Sequence, residues 1–326
     1  MPIDTLKQLN RRNWILGLQY KIFTALTSNK MKEVLYGSAP VLAALRAGRR
    51  TLHRLFVASP SEGIEGDKLL ENAVREKALS LARAANVPIV RSLPKFGSGS
   101  SQATHNGLML EVGPLHVTSL RALSGLTPLE PSGFGYSASV SDKETIDFEF
   151  DPPLDTNHRF QHPLWLALDQ LNDPQNLGAI IRTASFFGID GIVMTTTNTA
   201  PLSPVVSKAS AGALESYPML YATRNLPSFL GDCRQAGWAV FGTDITGNPT
   251  AKVYSCWQRP AMDQPLVLVM GSEGSGIRKT VSAKCDAHLL IPGGQSHDEN
   301  DNGKGLLDSL NVSVATGILL SSLSRK

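Results

Sequence analysis

Cysteines, charges and long apolar runs are all scarce in this sequence, and each scarcity excludes a class of protein. The three cysteines, Cys233, Cys256 and Cys285, are odd in number and widely spaced, which fits neither a zinc cluster nor a disulfide framework. We therefore expect a reducing compartment and no metal site. Charged residues make up only 18% of the chain and the net charge is +3, which excludes a histone-like chain but allows a local basic patch.

The apolar content predicts folded domains without a membrane span. Stretches such as 265–270 and 312–320 are well below the roughly 18 residues that a transmembrane helix needs. The chain has 326 residues, of which 42% are hydrophobic. At about 150 residues per domain, this length predicts two domains, each with a packed core.

Residues 1–34 form a basic N-terminal segment. Within its first 32 residues, a single acid, Asp4, accompanies the basic residues Lys7, Arg11, Arg12, Lys21, Lys30 and Lys32. Both a mitochondrial transit peptide and an ordinary helix lying on the domain surface have this character, so the pattern leaves the two open.

Residues 35–115 have the pattern of a small α/β domain. Ser38 is typical of a helix start, and residues 67–85 carry apolar side chains at the 3.6-residue period of a second helix. Apolar strands are predicted at residues 52–58, 87–90 and 108–112. Residues 116–160, which follow, are polar, irregular and rich in Gly and Pro, and this composition predicts a linker or insertion that stays mobile.

Residues 161–326 alternate between apolar strands and helices, which favours a parallel sheet covered on both faces. Ligands of such sheets bind beyond the carboxyl ends of the strands. The predicted strands are 164–168, 191–195, 217–222, 238–243, 266–270 and 288–291, and the predicted helices include 176–187 and 311–323.

A glycine-rich loop follows the strand at 266–270. Gly271, Gly274 and Gly276 are spaced G-x-x-G-x-G, the reverse of the fingerprint that seats a dinucleotide pyrophosphate, so a nicotinamide dehydrogenase is disfavoured. Such a loop lets backbone approach a flat ligand such as an adenine, or it serves only as a packing turn.

Polar side chains that suit a ligand site also occur at two helix starts. Asn176 and Arg182 belong to the helix after the strand at 164–168, and both approach the strand-end crevice if Asn176 caps that helix. Ser309 and Asn311 precede the last helix, where capping is the simplest role and contact with a ligand is compatible with it.

Three segments, 168–184, 270–277 and 309–315, resemble in this order the three motifs of the SpoU (TrmH-type) RNA 2′-O-ribose methyltransferases of the SPOUT superfamily. Leu35-Tyr36-Gly37 and His105-Asn106-Gly107-Leu108 resemble the small substrate-binding domain, similar to ribosomal protein L30e, of the branch that modifies a large-subunit rRNA guanosine.

The resemblance implies an α/β catalytic domain at residues 161–326 with a C-terminal trefoil knot, an exception to the general absence of knots. It also implies a homodimer and the cofactor S-adenosylmethionine, which would contact Gly271, Ile291 and Leu310. Arg182 matches the family's catalytic arginine, and its motif companions are Asn176, Glu273, Ser309 and Asn311. The polar stretch 293–305 lengthens one turn beyond the family pattern, which affects the expected cofactor lid more than the chemistry.

The chemical role of Arg182 stays open between two mechanisms. The family assigns the arginine as general base, but a guanidinium, which rarely loses its proton, more easily stays charged and stabilises a developing alkoxide.

The expected RNA contacts are Arg49, Arg50, Arg54 and His105 in the first domain, where each arginine could equally lie on a solvated face.

The upstream domain favours structured large-subunit rRNA as substrate over tRNA, the alternative within the family. A non-catalytic RNA-binding assembly factor is a further alternative. The basic segment and polar insertions favour a mitochondrial location, with a cytoplasmic one as the alternative.

Overall fold

The computed structural model describes residues 32–58, 68–94, 106–130, 132–151, 160–243, 252–258, 263–293 and 309–324. The chain divides into two compact units, residues 1–116 and 117–326. Most of the basic segment 1–34 therefore lies outside the described residues, and its two interpretations stay predictions.

The first unit is a small α/β fold. Its sheet has the order β1-β4-β2-β3, in which β4 is antiparallel to both neighbours and β2 is parallel to β3. Leu35, Leu55 and Leu110 are fully buried in its core. The elements are β1 (Glu33–Tyr36), α1 (Ser38–Ala47), β2 (Leu52–Val57), α2 (Lys68–Ala84), β3 (Ile89–Val90) and β4 (Leu108–Val112).

The second unit is larger and begins with four short strands before the predicted alternation of strand and helix. Its elements are β5 (Ala122–Leu123), β6 (Thr127–Pro128), β7 (Phe134–Ser139), β8 (Thr145–Phe150), β9 (Leu164–Leu168), α3 (Pro174–Phe187), β10 (Gly191–Thr195), α4 (Pro204–Ala209), α5 (Ala213–Ser216), β11 (Leu220–Thr223), α6 (Leu226–Gln235), β12 (Ala239–Gly242), β13 (Val253–Ser255), β14 (Leu266–Met270), α7 (Lys279–Ser282), β15 (Ala287–Leu290) and α8 (Val312–Leu323).

A seven-stranded parallel sheet with the order β11-β10-β9-β14-β12-β15-β13 forms the framework of this unit. Every residue of β9, β10 and β14 is buried. Continuous apolar runs predict strands covered on both faces, and the structure confirms a large parallel sheet.

The segment expected to be a mobile linker differs from that expectation. Four strands between positions 122 and 150 form an antiparallel sheet, in which β7 pairs with β5, β6 and β8. Tyr136 and Phe148 of this sheet are buried with Trp165 of β9 and Trp238 in one apolar cluster. The linker interpretation is wrong for these residues because apolar side chains alternate along β7 and β8, a two-residue period that the Gly- and Pro-rich surroundings obscured.

Candidate active site

The first two motif segments leave the sheet side by side. Leu168 at the end of β9 is paired with Met270 at the end of β14. Parallel strands place their carboxyl ends at one edge, so the polar residues after β9 and the glycine loop after β14 start from neighbouring positions.

Helix α3 presents Asn176 in its first turn. Asp173 caps this helix, its carboxylate accepting from the backbone N–H groups of Gln175 and Asn176. Pro174 follows at the first position of the helix, where a backbone N–H would have no partner within the helix, so its absence does not weaken the helix. Asp173, and not Asn176, is therefore the cap, and the Asn176 side chain is left available for other contacts.

Asn176, Glu273 and Asn311 form a closed hydrogen-bonded group, which we call the Asn–Glu–Asn triad. The Nδ2 atom of Asn176 donates to one carboxylate oxygen of Glu273 at 2.7 Å. The Nδ2 atom of Asn311 donates to the other carboxylate oxygen at 3.0 Å and to Oδ1 of Asn176 at 2.9 Å. The triad thus fixes the three motif segments to one another.

Asn311 also begins helix α8. Its Oδ1 accepts from the backbone N–H of Ser313 at 2.9 Å and from the Ser313 hydroxyl at 2.6 Å. Capping and participation in the triad use different atoms of one amide, so both roles predicted for this position are compatible. Ser309 is exposed two residues before the cap and lies outside the triad.

The glycine loop is tightly closed. The backbones of Ser272 and Gly276 exchange two hydrogen bonds of 3.1 and 3.0 Å. A Cβ atom at Gly271 would lie 2.2 Å from the carbonyl carbon of Gly276, so only glycine fits there. Gly274 and Gly276 have positive φ angles of 91° and 64°, and added Cβ atoms would meet nothing within 4 Å among the described residues.

The residues expected to hold a cofactor lie along the same edge. Gly271 begins the loop, Ile291 directly follows β15, and Leu310 precedes the cap of α8. Leu310 is 50% exposed and Leu290, at the end of β15, is 39% exposed. Open backbone next to exposed aliphatic side chains suits one planar, partly apolar ligand.

Arg182 is exposed on α3 and has no hydrogen-bond or ion-pair partner among the residues that the structure describes. It lies six residues after Asn176, which places it about 240° around the helix and about 9 Å further along the axis. The structure therefore leaves its guanidinium available to a ligand and does not bring it into the triad.

The expected RNA-binding residues of the first unit have different environments. The Arg50 side chain has no exposed area and donates to Glu33 at 2.7 Å and to the Gly113 carbonyl at 3.2 Å. Assigning Arg50 to RNA is wrong for this reason: its charge is used inside the fold. Arg49 is half-buried, and His105 lies outside the described residues.

Arg54 is half-exposed but paired with Glu111, its Nε lying 2.8 Å from a carboxylate oxygen, and Lys32 contacts the other oxygen at 3.3 Å. Burial raises the pKa of Glu111, but the hydrogen bonds and charges of Arg54 and Lys32 outweigh it and leave that pKa below its usual value. Much of the Arg54 charge is thereby neutralised.

Sequence reasoning missed two site residues, Asp169 and Arg278. Asp169 directly follows β9 and is 1% exposed, and its carboxylate accepts from the guanidinium and the backbone N–H of Arg278. The available signal was an acid directly after a fully apolar strand, since a carboxylate in that position needs a partner.

Comparison with known proteins agrees with this geometry. Residues 163–321 match the SpoU rRNA Methylase family. The chain is 33% identical over 302 residues to rRNA methyltransferase 1, mitochondrial, of Homo sapiens, covering 89% of this chain and 72% of that protein. It is 29% identical to the 23S rRNA (guanosine-2'-O-)-methyltransferase RlmB of Pseudomonas putida, covering 90% and 96%.

Among solved structures, the AdoMet-bound rRNA methyltransferase of Sinorhizobium meliloti has a TM-score of 0.58 at 21% identity, covering 90% of this chain and 86% of that one. The similarity to this structure shows a shared α/β fold. A parallel α/β fold with the Asn–Glu–Asn triad at the carboxyl edge of its sheet defines an α/β enzyme that binds its ligand at this edge. The chain belongs to the SpoU rRNA methylase family.

S-adenosylmethionine, the AdoMet of that structure, fits the residues at this edge. The open backbone at Gly274 and Gly276 and the exposed Leu290 and Leu310 suit an adenine and its ribose. In the described part of the chain, no group of three or more His, Cys, Asp or Glu residues is placed to hold a metal. No described helix has the length and apolarity to cross a bilayer.

Proposed function

We propose that this chain transfers a methyl group from S-adenosylmethionine to a ribose 2′-hydroxyl of ribosomal RNA, with a guanosine of the large-subunit rRNA as the favoured target. One observation carries the proposal: the Asn–Glu–Asn triad joins all three motif segments at the sheet edge that holds the residues expected to contact the cofactor. The names of the related rRNA methyltransferases support the RNA class.

The reaction needs alignment more than strong acid–base chemistry. Bound S-adenosylmethionine supplies a methyl group on a positively charged sulfur. An alcohol oxygen can bond to the methyl carbon and displace the sulfur, which leaves as a neutral thioether. Holding two reacting groups in line contributes on the order of 7–11 kcal/mol in well-oriented systems. The glycine loop, the triad and the aliphatic residues Leu290 and Leu310 would provide that alignment on the cofactor side.

Arg182 is the residue that we propose acts on the RNA. Its exposed guanidinium carries a full charge, because neutral arginine is rare in proteins. It would bind the phosphate next to the target ribose and stabilise the oxygen as it loses its proton to a phosphate oxygen or to water. Ser309 is exposed at the start of the third motif, where it can reach a ligand through its hydroxyl.

We further propose that the enzyme is a homodimer that buries parts of α3 and α8. Arg182 is the only charged residue in these two helices. They pack together, since a Cβ at Gly317 would lie 3.8 Å from the Thr183 methyl carbon, yet Phe186 is 71% and Val314 is 51% exposed. Exposed apolar side chains on helices that carry a single charge favour a protein partner.

Phe186→Asp tests the dimer. A charge at this position would be buried against the second copy, so sedimentation should show a monomer. Leu129→Asp, at an exposed apolar position directly after β6, should leave the mass unchanged. A monomeric unaltered chain, or a Phe186→Asp variant that still dimerises, would contradict this surface.

Three finer features belong to the same proposal. A C-terminal trefoil knot is supported by the strand order, in which β14 lies between β9 and β12. An RNA-holding role of the first unit, with a fold similar to ribosomal protein L30e, is supported by its separate core. A mitochondrial location is supported by the name of the human relative.

A methyl-transfer assay tests the function. Purified protein, S-adenosylmethionine with a labelled methyl group, and transcripts of large-subunit rRNA and of tRNA would be incubated, and modified positions mapped by resistance to alkaline cleavage. We expect one 2′-O-methylated site in the rRNA transcript. Methylation of tRNA alone would transfer the proposal to the other substrate. Cofactor binding without methylation of either RNA would favour an assembly factor.

A further inference from the structure

We infer that Asp169 and Arg278 act together as positioning residues that hold the glycine loop in the shape that binds the cofactor. The inference rests on the proposed function, because it concerns the same cofactor site. Neither residue belongs to the Asn–Glu–Asn triad. The pair links the start of the segment after β9 to the end of the glycine loop.

Asp169 is attached to both ends of the loop. Its backbone N–H donates to the carbonyl of Met270, the last residue before the loop, at 2.9 Å. Its carboxylate accepts from the Nε and Nη2 atoms of Arg278, the first residue after the buried Ile277, at 2.8 and 2.6 Å. The other carboxylate oxygen accepts from the Arg278 backbone N–H at 3.0 Å. The two loop ends are thereby held at one residue.

The burial of Asp169 makes this attachment firm. Its side chain has no exposed area, whereas that of Arg278 is 38% exposed. A buried carboxylate is strongly disfavoured unless a cation and hydrogen bonds satisfy it, so this carboxylate keeps the guanidinium and the adjoining backbone in place. Movement of Arg278 away from the loop would leave the charge unpaired.

The loop that is held carries the residues of the site. Between Met270 and Arg278 lie Gly271, the open glycines and Glu273, whose carboxylate contacts Asn176 and Asn311. If the loop occupied its binding shape for only a fraction of the time, the apparent affinity for a ligand would fall to that fraction of its full value. The pair would therefore act on cofactor affinity without touching the reacting atoms.

A second pair in the same unit has nearly the same geometry and serves as a control. The Arg234 Nε and Nη2 atoms lie 2.7 and 2.6 Å from one oxygen of Asp286, and the backbone N–H of Val240 donates to the other at 2.9 Å. Asp286 precedes β15 and Val240 is near the start of β12, so this pair lies at the amino edge of the sheet, opposite the glycine loop.

The test compares Arg278→Lys and Asp169→Asn with Arg234→Lys. Lysine keeps the charge but loses the two-point contact with the carboxylate. The dissociation constant of S-adenosylmethionine, measured by calorimetry without RNA, should rise about tenfold if the loop keeps its binding shape one-tenth of the time. Arg234→Lys should bind the cofactor as the unaltered protein does, even if its unfolding temperature falls.

Two further measurements separate positioning from general stability. In Arg278→Lys the KM for S-adenosylmethionine should rise while kcat at saturating cofactor stays within about twofold, because bound cofactor selects the same loop shape. Hydrogen exchange of the amides at residues 271–277 should accelerate in this variant and slow again on adding the cofactor.

The outcomes distinguish the two proposals. If the unaltered protein does not bind S-adenosylmethionine, the proposed function fails. If it binds and Arg278→Lys binds equally well, or if Arg234→Lys weakens binding to the same degree, the positioning role fails and the function stands. If Arg278→Lys does not fold, Asp169→Asn decides by the same measurements, since it retains the side-chain acceptor for the Arg278 N–H.

Discussion

Polar side chains serve different purposes in two regions of the molecule. One region is the group of arginines around β2 in the first unit, and the other is the carboxyl edge of the parallel sheet in the second unit. Around β2, arginines that are close in sequence have different environments: Arg50 is buried against Glu33, while Arg54 is paired with Glu111 at the surface. At the sheet edge, Asn176, Glu273 and Asn311 are far apart in sequence but bonded to one another.

The two regions differ in how well their sequence patterns predict which side chains lie together. A cluster of like charges in sequence says little about a binding patch, because each arginine can be buried or paired with an acid from elsewhere in the chain, as with Glu33 and Glu111 here. Polar residues that follow strands of one parallel sheet are brought to one edge whatever their spacing, because parallel strands end together.

Arg182→Ala should abolish most methyl transfer at the sheet edge. Loss of one charge-stabilising group typically lowers the rate by about 10²–10³, whereas removing an exposed side chain without a partner changes stability by less than about 0.5 kcal/mol. Single-turnover methylation and thermal unfolding would measure both. Arg83→Ala, at an exposed position in the last turn of α2, is the control.

Arg182→Lys separates the two mechanisms for this residue. If the residue acts as a base, the lysine variant should retain more rate than the alanine variant, since lysine loses its proton more readily. A lysine variant as inactive as alanine would count against the base and favour charge stabilisation.

Asn311→Ala should destabilise the second unit more than an ordinary cap does. Asn225 caps α6 through the Ser228 N–H at 3.2 Å, with no triad attached, so Asn225→Ala should cost about 1 kcal/mol. Asn311→Ala should cost about 1–3 kcal/mol more, because Glu273 and Asn176 lose a partner. Denaturant unfolding gives both values, and an additive double variant with Asn176→Ala would contradict a coupled triad.

Arg50→Ala should affect folding and leave RNA contact untouched. Losing hydrogen bonds from a buried charged group costs about 1–3 kcal/mol, so the first unit should unfold at lower denaturant concentration. RNA affinity of the folded protein, measured by filter binding, should not change. A loss of RNA affinity in a variant shown to be folded would instead indicate that Arg50 contacts RNA.

Arg46→Ala should weaken RNA binding more than Arg54→Ala. Arg46 is exposed and has no ion-pair partner in the described part of the chain, whereas Arg54 is neutralised by Glu111. Removing a phosphate contact lowers the slope of log affinity against log salt by about 1. Titrations at several salt concentrations should show this change for Arg46→Ala and a smaller one for Arg54→Ala.

The Glu111 carboxylate should make the first unit sensitive to acid. Its pKa is lower in the folded state than its usual value of 4.5, so its stabilising contribution is present above the unfolded pKa and is lost as the pH falls through the folded pKa. Unfolding free energies between about pH 5 and pH 3 should fall less steeply in Glu111→Gln. An equally steep fall would assign the acid sensitivity to other groups.

Much of the parallel sheet could be predicted because its strands are continuous apolar runs. The bounds of β9, β10 and β14 agree with the pattern, and α3 ends at Gly188, whose φ is 65°. The small antiparallel sheet was missed because β5 and β6 have two residues each, which is too short for a periodic signal. The two-residue period of β7 and β8 is flanked by Gly- and Pro-rich segments that obscured it.

The sequence alone determined the strand-and-helix alternation, the glycine loop and the three motif segments that mark the family, because period and residue type are local properties of the chain. The internal position of Arg50 and the attachment of Asp169 to both ends of the glycine loop follow only from the folded structure. Each of these depends on which residues meet after folding. Asp169 and Arg278, which are 109 positions apart, bond because β9 and β14 lie side by side in the sheet.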